Sequence, residues 1–91
     1  MDLIQELSLK RARWRADHRG TKESDMLVGG FADRYLATMT QDEFAWFERL
    51  LNEQDVDILA WAFGKADAPA SFQGPMLDRL KTLDYIDLLP R

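Results

Sequence analysis

The stretch MTQDEFAWFERLLN, residues 39–52, decides how the whole chain is read. Thr40 stands three residues before Glu43, the spacing of a capping box, in which each side chain satisfies a free backbone donor beside the other. Met39 and Phe44 occupy the staple positions around that box. Phe44, Phe47 and Leu51 then recur at three- and four-residue intervals, the period of a buried helix face, to about Asn52. A strand would alternate every second residue, and no stretch of this chain does.

Working outward, the same period recurs. Downstream, Asp55 is expected to cap a short fourth helix with Ile58, Leu59, Ala62 and Phe63 as its apolar set, ended by Gly64. Residues 65–74 contain Pro69 and several small residues, and read as a loop with one helical turn near Phe72. Pro75 opens a last helix at a favoured first-turn position, with Met76, Leu77, Leu80 and Leu83 as its stripe. The tail, residues 85–91, is expected to pack loosely or fray. Upstream, a helix is expected from near Thr21 to about Thr38, with Leu27, Phe31 and Tyr35 forming its buried stripe. Gly29 and Gly30 in its middle cost about 1 kcal/mol each against alanine, so they mark close helix packing or a kink. The first helix covers Leu3 to about Asp17, with Ile4, Leu7 and Trp14 on one face, and Gly20 stops it. The fold class is therefore all-α: a compact bundle of five short helices forming one domain over residues 1–91.

Composition narrows the function. The 91 residues contain no cysteine, which removes disulfides, zinc–thiolate sites and a cysteine nucleophile and suits a reducing compartment. No apolar run approaches the roughly 18 residues of a membrane span. The N-terminal residues have neither the apolar core nor the cleavage site of a signal peptide. The expectation is a soluble, cytoplasmic protein without membrane insertion. A net charge of −4 and a pI near 4.8 speak against nucleic acid as a general partner. The charge is uneven: residues 10–22 carry six bases and one acid, whereas residues 25–91 carry twelve acids and six bases. One basic face docking on something carboxylate-rich is one reading; a solvated helix face is the other.

The chemistry-bearing residues are few. His18 is the only histidine. No strained serine, phosphate loop or set of metal ligands accompanies it, so it reads as a surface or interface residue and the chain as no enzyme. Asp55 and Asp57 resemble the start of a calcium loop, but the required glycine and terminal glutamate do not follow. Trp61 is expected in the core; Trp46 and Tyr85 fit core or interface. Trp14, beside Arg13 and Arg15, is either an exposed aromatic anchor in a basic patch or the residue that pins the first helix. Arg19-Gly20-Thr21-Lys22-Glu23 lies in the turn between the first two helices. It offers a guanidinium fork, a bare backbone and a carboxylate at one corner, or else an internal Arg19–Glu23 ion pair.

Residues 18–27, HRGTKESDML, resemble the RGxxE signature of the SdhE family, bacterial assembly factors of succinate dehydrogenase that promote flavinylation. The likeness continues in residues 47–61, FERLLNEQDVDILAW, which match that family's F-x-x-L-L-x-x-x-D-x-D-[LI]-x-x-W pattern. Trp14 stands where the family has an aromatic. Ser24 departs from its more usual leucine, and Gly29-Gly30 is looser than a typical buried helix. The resemblance implies an all-helical partner protein that binds the flavoprotein subunit of succinate dehydrogenase or fumarate reductase. It implies that this partner promotes covalent FAD attachment by aligning groups of the client. FAD then belongs to the client, and no cofactor is stably bound here. Arg19, Gly20 and Glu23 would face the flavoprotein, with Trp14, Arg15, His18 and Asp25 around them. The readings weighed against it are a small adaptor or antitoxin-like protein and, further off, a nucleic-acid-binding regulator using its arginines.

Overall fold

Two helix starts in this chain, at Thr21 and Thr40, are built from side chains that accept from free backbone donors. In the computed structural model, which describes residues 3–86, five α-helices form: α1 (Leu3–Asp17), α2 (Lys22–Tyr35), α3 (Gln41–Leu51), α4 (Asp55–Ala62) and α5 (Pro75–Thr82). Short 3-10 turns follow α2 (Leu36–Thr38) and precede α5 (Ala70–Phe72), and no strand occurs among the described residues. The capping box at α3 is formed in both directions. Glu43 N–H donates to Thr40 Oγ1 at 3.2 Å, and Thr40 N–H donates to Glu43 Oε1 at 2.9 Å. Thr21 caps α2 in the same way, taking the Ser24 N–H.

The core is a layer of large side chains from α2 and α3 closed by α4 and α5. Leu27, Phe31, Phe47, Leu50, Ile58 and Leu80 are fully buried. Phe31 is its hub, with ring centroids 4.9 Å from Tyr35, 5.9 Å from Phe47 and 5.3 Å from Tyr85. Trp61 is buried as expected. Trp46 joins it, its indole N–H donating to the Phe72 carbonyl at 3.0 Å, so a buried polar group is satisfied.

The glycine pair marks close packing, and α2 runs through it unbroken. A Cβ on Gly29 would stand 2.5 Å from Asp17 Oδ1 and 3.5 Å from the Ala16 carbonyl, so α1 lies almost against the α2 backbone there. A Cβ on Gly30 would meet the Tyr85 carbonyl at 3.2 Å.

Four expectations need correction. α1 does not pack through Ile4, Leu7 and Trp14, which are exposed; it packs through Ala12 and Ala16, because only small residues allow the close approach at Gly29. Asp55 is the first helical residue of α4 and not its cap; Gln54 takes that position without a side-chain bond. Phe63 is exposed, where it was expected to face inward. The tail is firmly packed at its start. Tyr85 and Ile86 are buried, and the Tyr85 hydroxyl donates to the Leu80 carbonyl at 2.6 Å. The remainder of the tail, 87–91, lies outside the described residues.

Candidate functional site: the α1–α2 corner

α1 ends at Asp17, and the chain turns through His18, Arg19 and Gly20 before Thr21 starts α2. The turn requires glycine: Gly20 has φ +119°, a region closed to residues with a Cβ except at a cost of about 1–3 kcal/mol. Apart from its two neighbours in sequence, no described residue has an atom within 4 Å of where its Cβ would be. Gly20 is thus bare backbone presented to the outside. Glu23, in the first turn of α2, is exposed and has no hydrogen bond or ion pair among the described residues. Its carboxylate suits the positive end of the helix dipole and leaves its oxygens open.

Arg19 is placed otherwise. Its side chain is only 9% exposed and points back across the bundle. Nε donates to Asp55 Oδ1 at 2.8 Å, one terminal nitrogen to the Leu51 carbonyl at 2.7 Å, and the other to the Glu53 carbonyl at 2.8 Å. These acceptors are the end of α3, the loop that follows, and the start of α4. A helix C-terminus carries unpaired carbonyls and a partial negative charge, so a guanidinium there is favourable twice over. Arg15 adds to the clamp, donating to the Leu51 carbonyl at 3.1 Å and to Asn52 Oδ1 at 2.7 Å. Asp25 closes the turn from the other side, its Oδ1 accepting the Arg19 backbone N–H at 2.5 Å. Arg15 and Arg19 were expected on the outward face; their guanidiniums are turned inward, and the Arg19–Glu23 ion pair is not formed.

Trp14 and His18 complete the corner. Both are exposed, and their rings stack with centroids 4.2 Å apart and an interplanar angle of 13°. A carbonyl only accepts, so the 2.7 Å contact between His18 Nδ1 and Trp14 O places a proton on Nδ1. The expected basic face is correspondingly reduced. Arg13 pairs with Asp33, and Arg15 and Arg19 are used in the clamp, while Lys10, Arg11 and Lys22 remain exposed.

Ser24 and Asp55 matter more than the sequence suggested. Ser24 is the only buried polar residue described; its hydroxyl donates to the Thr21 carbonyl and holds the corner's last turn. The signal for it was a second hydroxyl three residues after the capping threonine. Beside the corner, a groove of about 410 Å³ runs over Gly29 and Gly30, with Asp17, Asp25 and Asp33 on its walls. Among the described residues, no group of histidine and carboxylate side chains is placed to hold a metal ion.

Against known proteins, residues 10–84 match the family described as flavinator of succinate dehydrogenase. The FAD assembly factor SdhE of Acetobacter pasteurianus is 39% identical over 71 residues, 78% of this chain and 65% of that protein. The mitochondrial succinate dehydrogenase assembly factor 2 of Debaryomyces hansenii is 36% identical over 87 residues, 93% of this chain and 58% of that protein. Its namesake in Danio rerio is 35% identical over 78 residues, 84% of this chain and 49% of that protein. The chain thus spans at most about two thirds of the length of these relatives. With the five-helix fold and a match over most of its length, this chain belongs to the SdhE family, the flavinators of succinate dehydrogenase.

Proposed function

We propose that this chain binds the flavoprotein subunit of succinate dehydrogenase, and that of fumarate reductase where present, and promotes covalent attachment of FAD to it. Family membership is the observation that carries the reading. The names of the relatives, FAD assembly factor and succinate dehydrogenase assembly factor, support it over the adaptor and nucleic-acid readings. The corner supplies a physical means. Arg19 and Arg15 hold the turn rigid from behind, so that Gly20 admits another backbone closely and Glu23 offers an unpaired carboxylate. A rigid projection of this kind selects one arrangement of its client. Aligning two reacting groups lowers a barrier by several kcal/mol, with about 7–11 as the upper range, and needs no reactive group of the partner's own.

FAD is the client's cofactor in this reading. The residues here fit a resident dinucleotide poorly, since the groove over Gly29 and Gly30 is walled by three aspartates against one arginine, Arg34, a net negative lining for a diphosphate. No described helix is long and apolar enough to cross a membrane. The relatives come from a bacterium and from mitochondria; we place this chain in a bacterial cytoplasm, where a cysteine-free protein loses nothing to reduction. The test is covalent flavin on the dehydrogenase subunit, read by in-gel fluorescence. Cells carrying Glu23→Ala or Gly20→Arg lose that signal while the purified variant keeps its helical circular dichroism. Normal flavin in both variants would overturn the role of the corner.

A further inference from the structure

α1 is apolar on two sides, and the bundle uses only one. Leu9, Ala12 and Ala16 face the core, spaced by three and four. Ile4, Leu7, Arg11, Trp14 and His18 follow the same three-four spacing on the opposite side of the helix, at 3.6 residues per turn. Ile4 is 76% exposed, Leu7 53% and Trp14 62%. Such a row of large apolar side chains on a small domain marks an interaction surface. It runs from the corner, where Trp14 stacks on His18, to the start of α1. There Ile4 borders a groove of about 350 Å³ between α1 and α3 whose apolar lining includes Leu9, Met39 and Phe44.

Arg11 decides what covers the row. It is exposed, has no partner among the described residues, and sits at the midpoint between Leu7 and Trp14. A second copy of the chain is a poor occupant. The parallel pairing of two rows in register, and the antiparallel pairing centred on Arg11, both set Arg11 against Arg11. A membrane surface is also a poor occupant, because a helix lying in the interface keeps its cations on the polar face and not in the midline of the apolar one. The remaining fit is a protein surface with an apolar ridge and a carboxylate facing Arg11. Charge-assisted pairing would then set the register, and Leu7 and Trp14 would supply the buried anchors.

We propose that the outer row of α1 is a second docking surface for the flavoprotein client, continuous with the corner, and that Arg11 pairs with a carboxylate of that client. This rests on the function proposed above. The corner presents the groups that align the client, and the row supplies much of the affinity.

The experiment measures binding of the full chain to purified apo flavoprotein subunit of succinate dehydrogenase by fluorescence anisotropy. The variants are Ile4→Ser/Leu7→Ser, Arg11→Glu and, for the corner, Glu23→Ala. These side chains are exposed, so circular dichroism and the thermal midpoint stay close to those of the parent. The row variants are expected to weaken binding roughly tenfold or more, and Arg11→Glu to lose the salt dependence of the parent. If they bind as the parent does while Glu23→Ala does not, the row is no docking surface and the corner reading stands alone. If the parent itself fails to bind the flavoprotein, both readings fall. Binding of the parent to anionic phospholipid vesicles that the row variants lose, with flavoprotein binding unchanged, would overturn the proposal in favour of a membrane surface.

Discussion

The guanidinium of Arg19 and the carboxylate of Asp55 meet at 2.8 Å across 36 residues of chain, and this pair ties the α1–α2 corner to the start of α4. The donors of Arg19 all reach acceptors of the protein itself, so in the function proposed above Arg19 positions the corner, whose outward surface is formed by Gly20 and Glu23 with Trp14 and His18 beside them.

Removing Arg19 strands the Asp55 carboxylate and the Glu53 carbonyl, and leaves the Leu51 carbonyl to Arg15 alone. Breaking a fully buried pair costs about 3–5 kcal/mol; with Asp55 partly exposed, Arg19→Ala should cost about 2–3. Arg19→Lys should recover little, because one ammonium cannot hold three acceptors in a plane. The urea midpoint and covalent flavin on the client should fall together for both. Glu23→Ala should lose flavin with stability unchanged within about 0.5 kcal/mol.

The local devices of this fold were readable from sequence, and the long-range ones were not. The Thr40 capping box, the Pro75 start and the Gly64 stop depend on neighbours a few residues away, and all three are found where they were expected. The direction of Arg19 depends on carbonyls of Leu51 and Glu53, whose availability is set by where α3 ends and how α4 leaves it. α1 misled for a different reason. Its larger side chains outweigh Ala12 and Ala16 in hydropathy, yet the close approach at Gly29 admits only the small ones. Asp55 stood at a cap-like position, and nothing local distinguished a cap from an ion-pair partner.

Gly29 gives a test of that approach. In Gly29→Ala the new methyl meets the end of the exposed Asp17 side chain, which can swing aside. The gain in helix propensity of about 1 kcal/mol then keeps the variant at least as stable as the parent. In Gly29→Leu the side chain meets the α1 backbone at Ala16 and should destabilise by about 1–3 kcal/mol. Thermal midpoints of the two variants should move in opposite directions.

Glu43 predicts the acid limb. The Thr40 backbone N–H holds its carboxyl below the ordinary value of 4.5; desolvation opposes this, and Arg79 adds to the lowering. A lowered folded pKa contributes stability that is present above the unfolded value and lost as pH falls through the folded one. Glu43→Gln should therefore flatten the loss of stability on acidification below 4.5, measured as the urea midpoint against pH. Thr40→Ala, which removes the cap itself, should cost about 1 kcal/mol at neutral pH.

Tyr85 governs the alkaline limb. Burial, with Asp84 and then Tyr35 adding repulsion, pushes its hydroxyl well above the ordinary value of 10.0. The folded protein holds the neutral phenol, which donates to the Leu80 carbonyl, whereas the unfolded chain ionises freely near 10. The unfolded state then binds fewer protons than the folded one, so stability is level below about pH 10 and falls as pH rises past it. Tyr85→Phe keeps the ring against Phe31 and loses the hydroxyl, so it should cost about 1 kcal/mol at neutral pH. It should also remove much of the alkaline loss, narrowing the gap to the parent as pH climbs. Urea midpoints of the two proteins that fall in parallel above pH 10 would mean that Tyr85 is not the group that titrates.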